Sequence, residues 1–103
     1  MIFKVEGDVG ADPIWCGNCD CNVDLENITI SNGLKKEFIK WARRYGEWID
    51  WVQDQLNPNG IEMEREHNKQ GAILTEKIQK ELQGTYKIKY TSSTMASMYQ
   101  KNK

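Results

Sequence analysis

The sequence predicts an α+β domain: two main antiparallel helices packed on a small antiparallel sheet, with a cysteine hairpin at or beside its edge. Three observations predict it. Apolar residues recur at three- and four-residue steps from Leu34 to Leu56 and again from Met63 to Leu82, the period of a helix with one buried face. Short alternating runs around Phe3 and Ile88 bracket these stretches, as half-buried strands do. Between the helical stretches lies Asn57-Pro58-Asn59-Gly60, whose residues each favour a turn. With 103 residues, 39% hydrophobic and 28% charged, the chain is expected to be one soluble globular domain over residues 1–92 with a flexible tail over 93–103.

Met1 to Val5 reads as the first strand, with Phe3 and Val5 on one face. Gly7 to Pro13 is a turn-rich connector, punctuated by Gly7, Asp8, Gly10, Asp12 and Pro13. Ile14 and Trp15 then lead into the cysteines, and Val23 and Leu25 alternate with polar residues on the way out. Ile28 and Ile30 form either a short strand or an extended lead into the first helix. Ser31 and Asn32 each offer a side-chain oxygen to the free N–H groups at that helix's start.

The first helix would place Leu34, Phe38, Trp41, Ala42, Tyr45, Trp48, Ile49, Val52 and Leu56 on one face. Gly46 interrupts it at a cost of ~1 kcal/mol relative to Ala, so the helix either runs through or stops near Gly46 and restarts at Glu47. Aromatics at this spacing are expected to be core. Trp51 lies off the stripe; if exposed, it is the best single candidate for a partner contact. The turn at 57–60 uses Pro58 to set φ and Gly60 to reach the left-handed region. A second helix over 61–82 puts Met63, His67, Gln70, Gly71, Leu74, Ile78 and Leu82 on its inner stripe, with Gly71 letting the first helix approach closely. Gly84 is the expected C-cap. Tyr86, Ile88 and Tyr90 make the last strand, which pairs with the first. Beyond Thr91 no period holds, and the end is expected to fray, with at most a turn of helix around Ala96 to Tyr99.

All three cysteines fall within Trp15-Cys16-Gly17-Asn18-Cys19-Asp20-Cys21. A C-x-x-C turn lets two thiolates converge on one tetrahedral ion, and Gly17 and Asn18 tolerate the positive φ that such turns use. Over about ten residues the stretch resembles the knuckle of zinc ribbons and rubredoxin-like sites. It departs from them in carrying Asp20 where Gly is common and in having no second C-x-x-C. The resemblance implies zinc as cofactor. The ligand set the composition permits is Cys16, Cys19, Cys21 and His67, the only histidine. Sharing of one ion by two protomers, or completion by Asp20 or Asp24, are alternatives. So is the absence of any ligand, since free cysteines often behave as small apolar side chains. A dithiol redox pair of Cys16 and Cys19 is a third reading. It lacks the helix N-terminus that lowers a redox thiol's pKa, because Val23-Asp24-Leu25 reads as strand. His67, on an inner stripe, is either a hydrogen-bonded core residue or a buried ligand.

Composition excludes other classes. No apolar run approaches the ~20 residues of a membrane span, and the N-terminus lacks a signal-peptide pattern, so a cytoplasmic protein with reduced thiols is expected. Residues 1–31 carry a net −5 and residues 82–103 a net +4, an asymmetry that disappears if the two ends lie side by side in one sheet. The acidic N-terminal region argues against a nucleic-acid partner. Neither G-x-x-x-x-G-K, G-x-G-x-x-G nor G-x-S-x-G occurs. Glu47, Asp50 and Asp54 read as solvent charges, so no enzyme is expected. In general look the chain resembles small bacterial cytoplasmic proteins, a likeness without functional content. The expected function is therefore a non-enzymatic interaction module, its partner another protein or a second copy in a homodimer, with a zinc-stapled hairpin as an option. The competing reading is a thiol-based redox or sensing protein using Cys16 and Cys19.

Overall fold

The computed structural model describes residues 2–82 and 86–101, the last two by backbone alone. The fold is α+β. Strands β1 (Ile2–Glu6), β2 (Ile14–Cys16) and β3 (Asn22–Val23) are followed by a single 3-10 turn (Leu25–Asn27), helix α1 (Asn32–Arg43), strands β4 (Ile49–Asp50) and β5 (Gln55–Leu56), helix α2 (Gly60–Glu81), strand β6 (Lys87–Thr91) and helix α3 (Met95–Lys101). Ile28 and Ile30 belong to an extended lead, and no strand forms there.

The main sheet has the order β3-β2-β1-β6. β1 pairs antiparallel with β2, Phe3 opposite Cys16 and Val5 opposite Ile14. β1 and the last strand do pair, but in parallel, Phe3 opposite Ile88 and Val5 opposite Tyr90. The sheet is thus mixed where an antiparallel one was expected. Parallel neighbours need a long crossover, and the α1–α2 pair provides it.

That the two helices run antiparallel follows from their contacts. Ser31 at the start of α1 meets Glu81 at the end of α2, Glu37 meets Lys77, and Trp41 meets His67. Ser31 caps α1 by accepting from the Leu34 N–H, as its side-chain chemistry predicts. Phe3, Val5 and Ile14 from the sheet and Phe38, Trp41, Leu74 and Ile78 from the helices make the principal core.

The first helix is a single helix that ends at Arg43 and does not restart. Gly46 takes a φ of +87°, a conformation that stops a helix and that glycine adopts without steric cost. Beyond it, Ile49 and Leu56 face each other across a short hairpin. The helical spacing from Trp48 to Leu56 belongs to this hairpin, which buries Trp48 and Ile49 and packs Leu56 against them but leaves Val52 in solvent. Trp48 and Ile49 are buried, as expected of core, but in a second cluster with Ala96.

Two glycines act differently from expectation. Gly60 is not left-handed; it opens α2, where a Cβ would stand 2.9 Å from the Trp48 carbonyl oxygen and 2.3 Å from Leu56 Cδ1. At Gly71 the close neighbour is Tyr90 of β6, whose ring carbon Cε1 would lie 2.5 Å from an added Cβ, not α1. Gln70 is exposed, and its place on the inner face of α2 is taken by Glu64. The expected cap Gly84 lies outside the described residues.

The last segment is α3, not a fraying end as far as Lys101. Its Ala96 is 1% exposed. Glu64 Oε2 accepts from the Ala96 N–H at 2.9 Å and from Ser93 Oγ at 2.7 Å, so a buried carboxylate anchors the first turn, the favourable sign for a helix N-terminus. Asn68 ties in the approach by donating to the Ser93 carbonyl and accepting from the Ser93 N–H and the Tyr90 hydroxyl. Aperiodic sequence hid this helix because polar contacts from α2 hold it. The two ends do lie side by side in β1 and β6, but of the N-terminal acidic residues only Glu6 lies in β1, opposite Thr91, so the opposed charges do not meet across the strands. Lys4 stands opposite Lys89 and pairs with Asp20 instead.

Replacing Gly71 by Ala is expected to destabilise the protein by about 1–3 kcal/mol, the usual cost of overpacking, through displacement of the Tyr90 ring. Chemical denaturation of the variant checks it, and Tyr90→Phe, which leaves the ring in place, should not relieve the loss.

Candidate functional site

The cysteine turn is a hairpin, as its flanking residues predict. The Cys16 N–H donates to the Cys21 carbonyl and the Asp20 N–H to the Cys16 carbonyl, each at 2.9 Å. The positive φ falls on Asp20, at 60°, and not on Gly17 or Asn18. Gly17 serves close approach: its N–H donates to the Ile2 carbonyl, and a Cβ there would stand 2.5 Å from the Ile2 side chain. All three cysteines are free thiols, Cys16 half-buried and Cys19 and Cys21 exposed.

His67 is not near them. It stands beside Gly7, where a Cβ would lie 3.3 Å from the imidazole Cε1, whereas Cys16 lies opposite Phe3. Four residues of extended chain separate Phe3 from Gly7, about 13 Å. Of the two carboxylates that could complete a site, Asp20 binds Lys4 and Asp24 caps the 3-10 turn by accepting from the Glu26 N–H. Among the described residues, no group of three or more His, Cys, Asp or Glu side chains is placed to hold a metal ion.

His67 instead joins the helices. Its ring stacks on Trp41 at 4.4 Å with an interplanar angle of 11°. The Trp41 indole N–H donates to the His67 carbonyl at 2.8 Å. His67 Nε2 lies 3.0 Å from the Trp41 carbonyl, an atom that can only accept, so Nε2 carries the proton. Nδ1 is buried and has no hydrogen-bond partner among the described residues. It can stay bare in the neutral ring but would become an unmet donor in the charged one. Burial, the larger influence, and the nearby Arg44 accordingly hold the imidazole below its ordinary pKa against the opposing Trp41 hydrogen bond. A cleft of about 470 Å3 lies beside this pair, walled by Trp41, Trp48 and Leu74 and lined by charges of both signs, Lys40 and Arg44 with Glu37, Glu47 and Glu66.

The β4–β5 hairpin exposes two large apolar side chains next to each other. Val52 is 95% exposed and Trp51 56%. The tip is braced from three directions. Asp50 Oδ1 accepts from the Val52 and Gln53 N–H groups. The Trp51 indole N–H donates to the Gly46 carbonyl at 3.1 Å, and its ring lies over Gly46, where a Cβ would stand 3.0 Å from Cζ2. Asp54, at a φ of 53°, accepts from the Tyr99 hydroxyl at 2.7 Å. Trp51 is thus exposed, as its position off the stripe suggested, but on a hairpin and not on a helix. Sequence reasoning missed Val52 by placing it on a buried helical face. The signal was present in β-branched Ile49 and Val52 beyond a glycine, with Asp50 spaced to cap a turn.

The model of the Serratia CdiI immunity protein-like family matches residues 1–93. The chain belongs to that family. A comparison with curated proteins returns no match. In this family member the matched stretch takes in the four-stranded sheet, both long helices and the β4–β5 hairpin, and ends ahead of α3. No helix among the described residues is long and apolar enough to cross a membrane.

Two outcomes follow from this geometry. The folded protein resists protonating His67, so its stability should fall as pH drops below about 6.5, where the unfolded chain takes up the proton first. The loss should level off below the folded-state value. Melting curves across this range check it, and His67→Gln should flatten that part of the profile. Ellman's reagent should titrate Cys19 and Cys21 quickly and Cys16 slowly, so Cys16→Ser should remove only the slow phase.

Proposed function

We propose that the chain is the immunity partner of a protein toxin, which it binds and holds inactive as a stoichiometric complex without catalysing a reaction. The family match over residues 1–93 carries this reading. The structure supports it with a surface suited to protein recognition: a braced hairpin presenting Trp51 and Val52, one a residue type enriched in interface hot spots. A binder of this kind acts by occupying its partner, so it requires shape, charge and rigidity rather than nucleophiles or a cofactor. Occupying a partner in this way needs neither zinc nor thiol exchange; His67 packs in the helix interface, and the cysteines lie on a separate hairpin. We place the encounter in the cytoplasm, where three free thiols stay reduced.

A cell that makes a toxin must inherit its antidote with it, so the natural test partner is the toxin encoded beside this chain. Cells induced to make that toxin should stop growing, and co-production of this chain should restore growth. The two purified proteins should elute together at one-to-one stoichiometry. Growth arrest unrelieved by the chain, with no complex on the column, would refute the proposal.

A further inference from the structure

We infer that the β4–β5 hairpin is the segment that enters the toxin, and that it seats in a cleft lined by lysine and arginine around an apolar slot. This rests on the immunity reading above. Three observations select the hairpin and its occupant. The first is exposure: Val52 leaves almost all of its surface in water and Trp51 more than half. Met98, 61% exposed, belongs to α3, which packs on β5. The outer part of the Trp51 ring and nearly all of Val52 face solvent, with only the inner edge of the indole resting on Gly46.

The second is rigidity. The Asp50 carboxylate, the Gly46 carbonyl and the Tyr99 hydroxyl hold the tip by separate hydrogen bonds. Side chains fixed before contact lose little freedom on binding. A solvent-exposed valine and an indole with only two side-chain torsions add little further cost.

The third is charge, and it specifies the partner. From Tyr45 to Gly60 the chain carries Glu47, Asp50 and Asp54 and no lysine or arginine. Arg44 at the root pairs with Glu47, which leaves Asp50 and Asp54 beside the apolar tip without a cation among the salt bridges of the described residues. Apolar side chains ringed by carboxylates are complementary to an apolar slot ringed by cations. A neutral or acidic partner surface would meet them with uncompensated charge.

The test measures binding of the full chain to the toxin encoded beside it. Val52→Arg is the decisive variant: Val52 touches little in the folded chain, so the fold should be unchanged by circular dichroism, while a cation now faces the cationic cleft. Its Kd should rise at least about 30-fold, the scale of a hot-spot loss. Trp51→Ala should do the same. Asp50→Asn and Asp54→Asn each keep an acceptor oxygen for the hydrogen bonds at the tip; together they should slow association at low salt and flatten the dependence of Kd on salt. Native Kd for Val52→Arg, or unaltered salt dependence for the double variant, overturns the inference while leaving the immunity reading intact. No binding by the unmodified chain overturns both. A dimer of the chain alone that Val52→Arg dissociates would assign the tip to a second copy and also overturn it.

Discussion

The reciprocal contact between Trp41 and His67 is the constraint around which the rest of the molecule is arranged. Each ring donates to the other residue's carbonyl, and the two rings stack. The contact sets where α1 lies along α2. The acceptor on α1 lies in its last turn and also takes the Arg44 N–H at 3.2 Å, so the imidazole is the second donor to that carbonyl. Tyr45 and Trp48 close around the same ring, with centroids 5.9 and 5.0 Å from it. Burial and the unpartnered Nδ1 favour the neutral imidazole over the charged one, and the single histidine packs between the two helices.

From that contact the chain divides into two packed regions. One is the sheet with the inward faces of α1 and α2. The other gathers Trp48, Ile49 and Ala96 beyond the end of α1, with Tyr45, Leu56 and Tyr99 around them. The second region exists because α1 stops: the left-handed backbone at Gly46 turns the chain out of the helix, and the following residues form a hairpin that α3 buttresses. Buried Glu64 makes that buttress by holding the start of α3. The exposed tip is thus supported by a small core of its own, set apart from the sheet that carries the cysteines.

Much of the architecture was legible in the residue pattern. The helical period of 61–82, the Ser31 cap, the alternation of Phe3 with Val5 and of Ile88 with Tyr90, and the hairpin around the cysteines all express local rules that the tertiary structure leaves in place. The stretch from Trp48 to Leu56 misled for a physical reason. Apolar residues at three- and four-residue steps suit a helix, but a short hairpin can bury Trp48, Ile49 and Leu56 from that spacing while leaving Val52 at its tip in solvent. Local period cannot separate these two arrangements; the backbone at Gly46 and the turn capped by Asp50 do. The cysteine stretch shows the converse. Its spacing was real and its hairpin formed, yet spacing alone could not say that the one histidine sits at the other end of β1.

By itself, the sequence determined the class of fold, the course of α2, the start of α1 and the pairing of the first and last strands, and it marked Trp51 as lying off the buried stripe, because each depends on neighbours a few residues away or on the burial of a periodic face. Only the tertiary structure decided the direction in which β6 joins β1, the neutral role of His67, the burial of Glu64 under α3, and the hairpin that lifts Val52 into solvent. Those features depend on groups far apart in the chain, and their energies come from contacts that exist only once the helices have docked.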